Sequence, residues 1–129
     1  MPHLLMDHSD DPAKKIRDAV AGLEDFEVFH NQVLLGIYIR PTKTRSGLYL
    51  PDKHVEEDRY QSKVGLMLKA GPDAFVDDGK WFQGLSINEG DWLVFRMSDG
   101  WKLSVGDTLC VLIDDVNIRG RVAHPDIVY

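Results

Sequence analysis

Short turns carrying glycine and an acidic residue recur through the second half of the chain, and strand-forming residues follow each one. Asp77-Asp78-Gly79 precedes Lys80-Trp81-Phe82, and Glu89-Gly90-Asp91 precedes Trp92-Leu93-Val94-Phe95. Ser98-Asp99-Gly100 precedes Trp101-Lys102-Leu103, and Val105-Gly106-Asp107 precedes the apolar run Leu109 to Ile113. Such spacing leaves room for short strands only, and a series of them predicts a small β-barrel or sandwich. Three more segments extend the series. Val33 to Ile39 is rich in strand formers and limited by Pro41, Val64 to Leu68 ends near Gly71-Pro72, and Val116 to Val122 closes the set. The Lys80-Trp81-Phe82 segment is expected to complete a hairpin.

The N-terminal part carries a different period. Residues 11–24 read as one short helix: Ser9, Asp10 or Asp11 can cap it, Pro12 suits its first position, and Ile16, Val20 and Leu23 make one apolar stripe. Gly22 weakens the last turn, and a helix this short needs its stripe packed on something. At 129 residues the chain forms one β domain over 30–122, preceded by an extension over 1–29 that bears the helix. A tail over 123–129 follows, and its Pro125 suggests a surface appendage. A domain of this size buries a core without disulfide or metal support.

Composition narrows the function. The formal net charge is -6 and the longest basic run is Lys14-Lys15, which argues against nucleic acid, whose phosphates want a basic stripe. Trp81, Phe82, Trp92, Phe95 and Trp101 are expected to pack in the core or across strands rather than to form a stacking platform for single strands. His3, His8, His30, His54 and His124 are scattered, with no pair at metal spacing. His8 with Asp7, Asp10 and Asp11 reads as an acidic helix N-terminus rather than a cation site. Gly65 to Gly71 is no phosphate loop, because no Lys-Ser or Lys-Thr follows. No catalytic, cofactor or metal site is expected. Cys110, the single cysteine, lies in a largely apolar run and reads as a small buried hydrophobe. The start, Met1 to Met6, lacks the features of a signal peptide, and no apolar run reaches membrane-spanning length. The expectation is a soluble cytoplasmic protein.

The segment Thr42-Lys43-Thr44-Arg45-Ser46-Gly47-Leu48-Tyr49-Leu50-Pro51 stands apart. Polar residues and a Ser-Gly hinge lead into three large apolar residues, and Pro51 stops them. A loop has no core of its own in which to hide Leu-Tyr-Leu. Either these residues form a short fixed strand, with Leu48 and Leu50 facing the core, or they are a sticky tip on an arm rooted between two strands.

The order of these segments resembles the GroES co-chaperonin family over about residues 30–122. The family's loop-tip pattern of two glycines and three aliphatic residues is similar to Ser46-Gly47-Leu48-Tyr49-Leu50, with Ser46 in place of a glycine and Tyr49 in place of an aliphatic residue. The following family strand resembles Gly65 to Gly71, and a Gly-Asp-led strand resembles Glu89 to Phe95. The closing strand pair resembles Cys110 to Ile113 and Val116 to Ile118, although Asn117 stands where the family has Asp. The resemblance implies a mainly β fold, a GroES-like partly closed β-barrel, here with a short N-terminal helix. It further implies a homo-heptamer, a mobile loop that docks on a GroEL-type chaperonin, and partner-binding roles for Gly47, Leu48, Tyr49 and Leu50. The divergence also suggests a phage-encoded co-chaperonin. A second possibility is a phage virion protein that reuses the fold, with the helix and acidic start holding a capsid and the loop ordered.

Overall fold

The computed structural model describes residues 11–40, 57–59, 61–76, 79–80 and 82–128. They form one antiparallel sheet of six strands: β1 (Gln32–Ile37), β2 (Val64–Ala70), β3 (Trp92–Val94), β4 (Trp101–Val105), β5 (Thr108–Asp114) and β6 (Gly120–Val122). Their order across the sheet is β4-β5-β1-β2-β3-β6. The sheet is not closed. Among the described residues β4 and β6 are its two edges, and each pairs on one side only. The mainly β, GroES-like expectation therefore holds.

Burial on both faces explains the sequence of the central strands. Strands covered on both sides read as near-continuous apolar runs, and Val33-Leu34-Leu35-Gly36-Ile37 is buried throughout. Alternate residues serve two cores. Leu34, Tyr38, Val64, Leu66, Leu68, Trp92, Val105 and Cys110 face one side. Val33, Leu35, Ile37, Met67, Leu93, Val111 and Ile113 face the other. The pairing of Val33 with Ile113 and of Leu34 with Leu112 keeps each layer in register. Between β1 and β2 the register shifts at Leu34/Leu35. The extra residue on β2 is Leu68, which stays in the first core.

A helix α1 (Pro12–Ala19) covers the first core with Pro12, Ala13 and Ile16 buried. Its close approach needs Gly36: a Cβ there would stand 2.6 Å from Ile16 Cγ2. The helix is shorter than the 11–24 expected. Val20 is already extended and Gly22 adopts φ 78° before a short 3-10 turn at Leu23–Asp25. The left-handed turn, natural for glycine, redirects the chain so that Val20, Leu23 and Phe26 still pack on the first core. Asp11 is the N-cap residue but makes no side-chain capping bond.

The second core is covered by the segment between β2 and β3. The expected hairpin does not form there, because none of the described residues between Gly71 and Asp91 is in a strand. Their apolar side chains pack face-on instead: Ala74, Phe75 and Ile87 lie on the second core, and Phe75 meets Phe82 edge to face at 5.5 Å. The expected last strand over 116–122 divides likewise. Asp115–Asn117 is a 3-10 turn, and only Gly120–Val122 pairs, against β3.

The tail departs from the surface appendage expected. Pro125 and Asp126 are fully buried in a 3-10 turn at Pro125–Val128, and Val128 packs on the first core.

Candidate functional site

The four expected contact residues, Gly47, Leu48, Tyr49 and Leu50, lie outside the described residues. The structure does describe the chain on either side of their segment, its two roots. On the β1 side the ladder runs on past Ile37, with the Tyr38 N–H donating to the Val64 carbonyl at 3.2 Å. On the β2 side the buried Ser62 hydroxyl donates to the Tyr38 carbonyl at 2.9 Å and lies 3.2 Å from the Val64 carbonyl. Further out, two residues beyond Tyr38 and four before Ser62, Arg40 and Asp58 join the roots directly. The Arg40 N–H and Nε reach one Asp58 carboxylate oxygen at 2.8 and 3.0 Å, and Nη2 reaches the other at 3.0 Å. The Arg40 side chain is 15% exposed and that of Asp58 only 4%. Charge-assisted, two-pronged pairing is the strong form of this interaction and fixes orientation as well as distance.

The tail braces the same region from the first core. The Tyr38 hydroxyl donates to the carboxylate of the buried Asp126. The Asp126 N–H donates to His124 Nδ1 at 3.1 Å. Tyr38 also packs edge to face on Trp92, with ring centroids 5.8 Å apart. A buried carboxylate and a buried hydroxyl need such partners, since either left alone carries a desolvation penalty.

Sequence reasoning did not single out Arg40, Asp58, Tyr38 or Asp126. Asp58 sits among Asp52, Lys53, Glu56, Glu57 and Arg59, and no local pattern distinguishes the one carboxylate that tertiary packing buries. Arg40 directly precedes Pro41, which signals an extended chain at most.

The remaining candidates do not assemble into a site. Trp92 and Phe95 are buried on opposite faces of the sheet, so they do not form one stacking platform. Trp101 departs from the expected packing: it lies on the edge strand β4 and is 75% exposed. Among the described residues no group of three His, Cys, Asp or Glu side chains could hold a metal ion, and no helix is long and apolar enough to cross a membrane. Cys110 is fully buried, as expected, and burial pushes its thiol up to about 11.

The family model of the Chaperonin 10 Kd subunit matches residues 25–122. The chain belongs to this chaperonin 10 family. The match includes both roots and the 42–51 segment, and leaves α1 outside. The 10 kDa chaperonin, mitochondrial, of Arabidopsis thaliana is 31% identical over 98 residues, covering 74% of this chain and 91% of that protein. The 10 kDa chaperonin of Brassica napus is likewise 31% identical over 98 residues, with the same shares covered. The resemblance to the GroES co-chaperonins thus extends to the whole β domain, and with chaperonin 10 membership comes a co-chaperonin role.

Proposed function

We propose that this protein caps a GroEL-type chaperonin and assists protein folding, docking through Leu48, Tyr49 and Leu50 with Gly47 as the hinge. The observation that carries this reading is the chaperonin 10 match over residues 25–122, which includes an apolar triplet between polar flanks. On this reading Lys43 and Arg45 keep the undocked segment soluble. The assembly is a homo-heptamer working in the cytoplasm beside its partner.

The energetics favour many weak contacts over one strong one. Burying each large side chain of the triplet contributes roughly 1.5–3 kcal/mol. Ordering the segment opposes this by about 1–2 kcal/mol per residue. A single segment is a weak binder. A ring of them binds together, because each later contact is effectively intramolecular. Binding is then tight, yet reversible when the partner changes state.

The test is a double substitution, Leu48→Ser with Leu50→Ser, followed through subunit assembly and chaperonin capping. The expected result is a folded, assembled ring that no longer caps. Loss of folding would instead place Leu48 and Leu50 in the core of a fixed strand and overturn the docking role.

A further inference from the structure

We propose that the Arg40–Asp58 ion pair is a positioning device that fixes where the segment between them leaves the sheet, and so sets its readiness to dock. The inference rests on the docking role proposed above.

The geometry points to positioning rather than to stability. Removing two charges from water costs about what their attraction returns, so buried ion pairs contribute little net stability and can often be replaced by apolar residues without loss. This pair is nevertheless buried at 15% and 4% exposure. What it supplies is geometry. The Arg40 main chain and its guanidinium grip the same carboxylate at 2.8–3.0 Å, so the backbone at residue 40 is set relative to residue 58 as well as the side chains. The guanidinium is planar and presents its donors in a rigid fork, which lysine does not. Two further ties lie just inside the pair: the Ser62 hydroxyl to the Tyr38 carbonyl, and the Tyr38 N–H to the Val64 carbonyl. Among the described residues the pair thus lies outside both of these connections.

A tether placed there acts on docking through entropy. Residues held before binding lose less freedom on binding. Releasing roughly one backbone residue at the roots should weaken each docked segment by about tenfold. Several segments engaged at once multiply that loss across the ring.

The experiment compares wild type with two variants: Arg40→Lys, which keeps the charge but loses the fork, and Arg40→Met combined with Asp58→Leu, which removes both charges. Spin labels replace Lys43 and Lys53 in each, since the buried Cys110 will not take label. The label-to-label distance distribution reports the segment directly, circular dichroism reports folding, and affinity is measured against a GroEL-type chaperonin with ADP. The expected result is a normal fold, a broadened distribution in both variants, and affinity lower by tenfold or more. An unchanged distribution in the folded variants overturns the inference. So does an unchanged affinity beside a broadened distribution. If wild type itself ignores the chaperonin, the docking role falls, and the inference about readiness to dock falls with it; the spin-label distances then show separately whether the pair holds the segment.

Discussion

Cys110 shows how a single residue reports the quality of the core. Its thiol lies in the first core, with the Thr108 carbonyl 3.6 Å from Sγ. Burial disfavours the thiolate and raises the thiol from 9.0 to about 11. At any pH well below 9 the folded protein therefore holds about a hundredfold less thiolate than an exposed cysteine would. Alkylation by iodoacetamide at pH 8 should consequently follow the rate of unfolding rather than intrinsic thiol reactivity, with mass spectrometry showing no modification of the native protein on a timescale that fully labels it in urea. The sign of the linkage matters at high pH. A raised folded value makes the native state bind its proton more tightly, so this contribution to stability is intact below 9.0 and is lost as pH rises towards 11.

Asp115 carries the equivalent role between elements. It follows β5, is 3% exposed, and links three parts of the chain. Its carboxylate accepts from Asn31 Nδ2 at 3.0 Å and from the Phe75 N–H at 3.0 Å, while its own N–H donates to the Asn31 carbonyl at 3.0 Å. The bond to Phe75 holds a residue at φ 56°, a left-handed conformation that non-glycine residues seldom adopt. Asp115→Ala would leave that N–H without its acceptor and should destabilise the protein by about 2–3 kcal/mol in chemical denaturation, against a smaller loss for Asp115→Asn. At this scale the sequence was partly legible. Strands β1 to β5 were visible, because strand formers bounded by turn residues have a strong local signature. The covering segment over 71–91 was not, because Phe75 and Phe82 look like strand formers until a sheet exists for them to pack against. The same holds for Asp115, which reads locally as the end of a strand and becomes a strap only through Asn31 and Phe75. At the candidate site, the apolar triplet was visible as an anomaly of composition. The Arg40–Asp58 pair was hidden, because neither residue has a local pattern that foretells its burial.

At the scale of the whole molecule, the open sheet, the N-terminal helix and the buried tail combine into one frame. Both faces of the sheet are occupied within the chain: α1 and the turn at Pro125–Val128 cover one, and the 71–91 segment covers the other. The edges β4 and β6 are uncovered among the described residues. The Arg40–Asp58 pair and the Ser62–Tyr38 bond join the chain on either side of residues 41–56. Membership of the chaperonin 10 family gives this frame a co-chaperonin role. The most direct measurement is native mass spectrometry of the purified protein, alone and mixed with a GroEL-type chaperonin, with and without ADP. The account predicts a seven-subunit ring that adds to the chaperonin only when nucleotide is present. A monomer or other oligomer that never joins the chaperonin would contradict it.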